Sequence, residues 1–206
     1  MELAEIPGVG MSRDDRGKQR VVDAKTLFLA LRFSKEAPTN SEMKIRAIAE
    51  LRSYSKEHKA VREHLRELLE DDDIFTRLLA AEALSVAGAY SKEAVPILQM
   101  FLDYARREGL VDHYQTWLAM CFLALTHYGT KAVSAFRSVL SYVYLQDNVR
   151  LKLGAVEVIA RFAKTSKASR ILLRGLCKSK MPEVRERAGH IVESKEFIVC
   201  MSEEDE

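Results

Sequence analysis

Five histidines, three cysteines and a run of three aspartates are the residues of this 206-residue chain best suited to metal binding or catalysis. Their spacing gives them no such task. His58 and His64 are six apart, on different faces of a helix. His113, His127 and His190 are scattered, and none pairs with a Cys or carboxylate at ligand spacing. His190 reads as a half-buried packing residue. Cys121, Cys177 and Cys200 form no CxxC pair, which supports neither a disulfide framework nor zinc and leaves a reducing, cytoplasmic setting as the expectation. Asp71, Asp72 and Asp73 stand just before an apolar stretch, where carboxylates cap free backbone N–H groups. Asp147 reads the same way. The chain carries no HExxH, phosphate-cradling glycine loop or nucleophile elbow. The expectation is a protein without catalytic residues, metal or cofactor.

Charge is more informative. The net charge is only +2, yet Arg161 to Arg187 holds nine basic residues against Glu183 and Glu186, a local +7. Lys167, Arg170, Arg174 and Lys178 follow one another at intervals of three, four and four, one stripe along a helix, with Lys164 just before it. Lys131 and Arg137 stand on the preceding segment and extend it. Such a stripe suits an acidic peptide or phosphates. Tyr114, Trp117, Phe122 and Tyr128 form a second cluster, read as core packing, with Trp117 as a groove aromatic the alternative. The acidic end "SEEDE" (202–206) offers the stripe an internal counter-charge.

The elements that must carry these residues are helical. Composition is 48% hydrophobic and 30% charged, with four prolines and nine glycines, which suits a helical chain better than a turn-rich β fold. Apolar residues recur at helical spacing almost throughout. A first helix is expected from Gly17 to Phe33 after a flexible stretch 1–15. Others follow at 40–54, 55–70, 74–88, 91–109, 113–127, 130–144, 147–163, 167–178 and 182–193. Thr39, Asn40 and Ser41 are candidate caps for the second. Short connections make successive helices antiparallel hairpins. The N-terminus lacks the basic segment and apolar run of a secretory leader, and no apolar run reaches a membrane-spanning length, so no membrane role is expected.

The helices repeat. "TRLLAAEALSVAG" (76–88) has Arg77, Ala80-Ala81, Ala83-Leu84 and Gly88. "IRAIAELRSYS" places Arg46 comparably, "VRLKLGAVEVI" Arg150 with Gly154-Ala155, and "VRERAGHIV" Arg185 with Ala188-Gly189. "WLAMCFLALTHYG" is a degenerate copy with Leu118 in the arginine slot. A second phrase alternates with the first: Ala60-Val61, Ala94-Val95, Ala132-Val133 and Ala168-Ser169, each followed by apolar residues three and four apart. The period averages about 35 residues, the class of paired-helix repeats.

"DDDIFTRLLAAEALSVAGAYSKEAVPILQMFLDY" resembles a HEAT repeat of the short kind common in bacteria and archaea, with its acidic turn, V-R-like pair, small residues, A-L and glycine, then A-V-P-x-L. The resemblance covers about three-quarters of the chain. It implies an all-α fold: a right-handed α-solenoid of stacked antiparallel helix pairs, about four and a half repeats plus an N-terminal helix, in one domain over 16–200 with an acidic tail at 201–206. The repeats are about 40–71, 72–108, 112–145, 147–179 and 181–200. It implies that Arg46, Arg77, Arg150 and Arg185 are structural, tying one repeat to the acidic turn of a neighbour. It also places second helices on the concave face. The last repeat is cut short, and Phe197, Ile198 and Val199 are expected to close the stack.

The resemblance is specific for fold and nearly silent on task. The leading expectation is a non-enzymatic scaffold or adaptor whose groove binds an acidic segment of a protein. The alternative is nucleic acid, because HEAT-like DNA glycosylases use a basic concave groove with aromatics and a catalytic Asp. No acidic residue of that kind stands beside the stripe. A bilin-attachment lyase shares only a distant fold, without a motif here.

Overall fold

The computed structural model describes residues 11–13, 19–21, 24–38, 41–144 and 148–194. The fold is all-α apart from one short ribbon, in which β1 (Met11–Arg13) and β2 (Gln19–Val21) pair antiparallel with Met11 opposite Val21. The ribbon corrects the expected first helix. Gly17 disfavours helix and Val21 favours strand, so α1 starts later, at Ala24, and runs to Glu36. Thr39, Asn40, Asp147, Cys200, the stretch 197–199 and the acidic end lie outside the described residues, as does most of 1–15.

Two compact units divide the chain, Met1–Ile97 and Leu98–Glu206, with the boundary inside α5 (Ser91–Arg107). The first unit holds α1, α2 (Glu42–Tyr54), α3 (Lys59–Glu67) with a 3-10 turn at Leu68–Glu70, α4 (Ile74–Ser85) and the start of α5. Within it α2 packs on α1 and on α4, and α3 packs on α4. The second unit holds the rest of α5, α6 (Gln115–Tyr128), α7 (Phe136–Val143), α8 (Val149–Phe162), α9 (Lys167–Leu176) and α10 (Pro182–Val192). Here α8 packs on α6, α7, α9 and α10, and α9 packs on α10. Among the described residues no helix is long and apolar enough to cross a membrane.

The N-caps set the register of the repeat. Ser41, Asp73, Tyr114, Asn148 and Met181 precede α2, α4, α6, α8 and α10, at intervals of 32, 41, 34 and 33. Ser41, Asp73 and Asn148 accept from the backbone N–H three residues on, which satisfies a donor the helix leaves free. Seven residues beyond each cap stand Ile48, Ala80, Cys121, Ala155 and Ala188, all buried. Leu51, Ala83, Ala124 and Val158, ten beyond the first four caps, are buried too. Within each unit that spacing of a helical face packs one such helix on the next: α2 on α4, and α6 on α8 on α10.

Where the repeat is degenerate, the geometry departs from the expected single helix at 130–144. Gly129 breaks α6 at φ +56, and 129–135 wind as a 3-10 helix before α7 begins. Three residues per turn rotate the phrase, so Ala132 is buried and Val133 exposed, whereas Val61 and Val95 are buried. Gly88 and Gly109 also take positive φ at helix ends.

In the first unit His64 is a packing residue with a pH consequence. The buried Ser34 Oγ lies 2.9 Å from the Leu31 carbonyl and 2.7 Å from His64 Nε2, and the His64 tautomer sets which of the two takes its proton. Burial pushes the His64 pKa down, the Lys35 ammonium on α1 pushes the same way, and the Glu67 carboxylate opposes them. Lys35 and Glu67 pair with each other at 2.9 Å. The folded state therefore resists a proton that the unfolded chain takes up below about pH 6.5. Stability in urea should fall between pH 7.5 and 5.5, and His64→Gln should flatten that decline. An unchanged slope in the variant would remove His64 as its source.

Candidate functional site

Each expected basic residue has a place on the helices of the second unit. Lys131 and Arg137 are exposed, on the 3-10 segment and on α7. Lys164 is exposed between α8 and α9, Lys167 and Arg174 are exposed along α9, and Lys178 is exposed in the turn that follows it.

Arg170 does not belong with them. It is 5% exposed, and its Nη1 donates at 2.7 Å to the carbonyl of Ala163, the C-cap of α8. The strongly amphipathic α9 turns Arg170 inward beside Ser169 and Leu173, and the guanidinium serves a carbonyl that α8 leaves free. Ile171, 61% exposed, takes its place outside. The outer row is thus Lys167, Ile171, Arg174 and Lys178, at intervals of four, three and four. Arg170→Met should cost about 2 kcal/mol of stability, because a buried carbonyl loses a charged donor. It should leave any charge-dependent binding at the outer row unchanged. Chemical denaturation and salt-dependent binding on the same variant check both halves.

The repeat arginines divide. Arg46 is exposed and pairs with Glu42 of its own helix at 2.6 Å. The tie from α2 to the following acidic turn is made by Lys44, whose buried ammonium meets Asp71 Oδ2 at 2.9 Å. Asp71 also accepts from the Asp73 N–H at 2.9 Å. Burial alone would raise the Asp71 carboxyl. The Asp73 N–H, Lys44 and the charge of Arg77 together hold it below the ordinary aspartate value. Arg77 therefore acts, through charge, on the acidic turn just before its own helix. Arg185 donates to the Ser179 carbonyl at 3.0 Å in the turn before its helix. Arg150 lies two residues past the Asn148 cap and is exposed. The position matching Arg77 and Arg185, four past the cap, is held by Lys152, which is buried against Met181 Sδ. Further ion pairs join Arg52 to Glu82 at 2.8 Å and Arg187 to Glu157. Each links neighbouring first helices.

The aromatic cluster is core. Phe122 and Tyr128 are buried, and Phe122 meets Tyr142 edge to face at 5.3 Å. The Tyr142 hydroxyl donates to the Leu102 carbonyl at 2.7 Å. Tyr114 packs on Phe101, and Trp117 is half-buried. Burial pushes the Cys121 thiol far up, so it stays a neutral packing group. His190 is exposed rather than half-buried, because Ala188 takes the inward place on α10. Among the described residues no group of His, Cys, Asp or Glu assembles that could hold a metal ion.

Two features escape the sequence reading. One is a groove of about 570 Å³ between α1 and α2, lined by Leu29, Phe33, Met43, Arg46 and Ala47 among others, with Met43 52% exposed. The other is a line of large side chains along each second helix of the second unit. Met100, Tyr104 and Arg107 stand exposed at intervals of four and three on α5. Arg137 and Tyr144 are seven apart at α7 and its C-cap. Ile171 with its cations completes the series on α9. Exposed large apolar residues at helical spacing are the signal that could have found them.

No protein-family model matches the chain, and no curated protein matches it.

Proposed function

We propose that this chain is a HEAT-like, right-handed α-solenoid acting as a non-enzymatic protein-interaction module. Its second helices take up a partner segment of acidic character. The stacking of first helices within each unit supports the solenoid: α2 lies on α4, and α6, α8 and α10 follow one another. One observation carries the function. The second helices of the second unit carry both cations and large apolar side chains on their exposed sides: Tyr104 and Arg107 three apart on α5, Ile171 and Arg174 three apart on α9, and Arg137 and Tyr144 two turns apart at α7 and its C-cap. Exposed apolar area edged by charge is the pattern of a protein-binding surface. Asp103 and Glu108 dilute the charge on α5, so the cationic share grows toward α9. The cytoplasm is the proposed compartment, in keeping with the free thiols Cys121 and Cys177.

Nucleic acid is the second reading, favoured by the exposed Tyr104 three residues from Arg107 and the exposed Tyr144 at the end of the helix that carries Arg137, which suits base stacking beside phosphates. Affinity capture on the purified chain, with and without nuclease, separates the two. The first reading expects capture that survives nuclease and is lost in the Arg107→Glu/Arg137→Glu/Lys178→Glu variant. Capture that disappears with nuclease overturns it. So does turnover of a substrate that single substitutions on these helices abolish.

A further inference from the structure

We infer that the outer side of α9 is the seat of an amphipathic acidic helix from a partner protein, its apolar ridge on Ile171 and its carboxylates toward Lys167, Arg174 and Lys178. This rests on the interaction reading above and narrows it to one helix and one ligand chemistry.

Three observations meet there. At about 100° per residue, Arg174 and Lys167 lie within about 20° of one another around α9, and Lys178 follows in the turn after it. Ile171, Gly175 and Ala168 fill about the next 60°, and all six are exposed. The face is therefore two parallel strips, one cationic and one apolar and small. Second, Ile171 is 61% exposed, and the half-buried Leu172 edges the same apolar strip.

Third, Gly175 sits inside α9 with no described reason for being glycine. Its backbone is ordinary helix, and a Cβ built on it meets nothing within 4 Å among the described residues. Glycine is the poorest helix former after proline. Contrast Gly154, where a Cβ would strike Phe122. With Ala168 two turns away, Gly175 leaves a low saddle on either side of Ile171, into which the ridge of a second helix fits closely. This is helix-in-groove recognition, with complementary charge on one flank.

The same face is poorly made for nucleic acid. Phosphates would use the cations and leave the apolar strip in water. The stretch 164–180 holds no aromatic residue to stack a base. An acidic helix with an apolar ridge uses both strips.

Fluorescence anisotropy on the full chain tests this. The probe is a labelled 16-residue peptide with leucines at i, i+3, i+4 and i+7 and a row of glutamates on one side. Companion probes are a scrambled peptide of the same composition and a 16-nucleotide single-stranded DNA. The designed peptide should bind about tenfold more tightly than either companion. Lys167→Glu/Arg174→Glu/Lys178→Glu should weaken it by about tenfold or more. Ile171→Ser and Gly175→Leu should each weaken it about fivefold without lowering the thermal melt. Gly175→Leu is the sharpest variant, since it adds apolar surface and removes no charge.

Equal binding of the scrambled peptide overturns the inference in favour of diffuse charge, and tighter DNA binding overturns it in favour of nucleic acid. Binding indifferent to the α9 variants but lost in Lys131→Glu/Arg137→Glu would leave the interaction module standing and remove α9 as its seat. Binding of no probe by the wild type would overturn both, unless Glu203→Gln/Glu204→Gln/Asp205→Asn/Glu206→Gln restored it. That result would assign the face to the chain's own acidic end and also overturn the inference.

Discussion

Gly154→Val should destabilise the second unit by about 3 kcal/mol, while Gly154→Ala should cost about 1 kcal/mol despite alanine being the better helix former. The cause is the approach of α8 to α6. A Cβ on Gly154 would lie 2.9 Å from Phe122 Cδ2, with Cγ and Cβ of the same side chain at 3.4 and 3.5 Å. Both edges of the contact are fixed. Phe122 is 3% exposed, and its ring is held edge-on by Tyr142, whose hydroxyl is spent on Leu102. Rotating Phe122 away would break that pair, so α8 must move instead. An alanine gains up to about 1 kcal/mol in helix propensity and loses more in the clash. Valine adds two methyl groups to a closed contact. Pairing Gly154→Ala with Phe122→Leu in a double-mutant cycle isolates the contact. The Gly154 substitution should become neutral or stabilising once the ring is gone, a coupling of at least about 1 kcal/mol in urea melts. Additive effects would show that some other neighbour makes this position glycine.

Gly154 was legible in the sequence, as half of a small pair in a recurring phrase, because close helix approach demands small residues whichever helix makes it. The described α-helices and their order were legible for a related reason: apolar period and caps are local, and Ser41, Asp73 and the glycines at 88 and 109 mark ends through their own backbone chemistry. What the linear pattern misplaced was rotation about the helix axis. Lys167, Arg170, Arg174 and Lys178 keep helical spacing, but Ile171 lies about as close to Lys167 around the axis as Arg170 does. The choice between Arg170 and Ile171 is made by the Ala163 carbonyl, which only the packed hairpin supplies. An isoleucine outside and an arginine inside is the reverse of what hydropathy orders, and so was not read. The arginine ruler slipped similarly at Arg150, because aligning on Val-Arg ignores the cap. Measured from Asn148, the equivalent residue is Lys152. The 3-10 segment at 129–135 was hidden because its residues suit an α-helix equally well. Gly129 at positive φ decides otherwise.

The tie from α2 to the acidic turn before α4 yields the other large effect. Asp71→Asn should cost the first unit about 3 kcal/mol, and Lys44→Met only about 1 kcal/mol. The asymmetry follows from burial. The Lys44 side chain is 6% exposed, so with Asp71 neutralised its ammonium stays out of water facing an amide. The Asp71 side chain is 20% exposed and keeps the Asp73 N–H and the charge of Arg77 when Lys44 is lost. The double variant Lys44→Met/Asp71→Asn should recover to within about 1 kcal/mol of wild type, because a buried pair gains little over a matched neutral contact. A pH titration adds a second readout. The folded-state pKa of Asp71 lies below its unfolded value, so its contribution is fully present above about pH 4. It is lost as pH falls further, because the unfolded chain takes the proton first. Asp71→Asn should remove that part of the acid slope. Equal costs for the two single variants would show that Lys44 reaches solvent when its partner is gone. In that case the link from α2 to the acidic turn would be a surface ion pair of small worth.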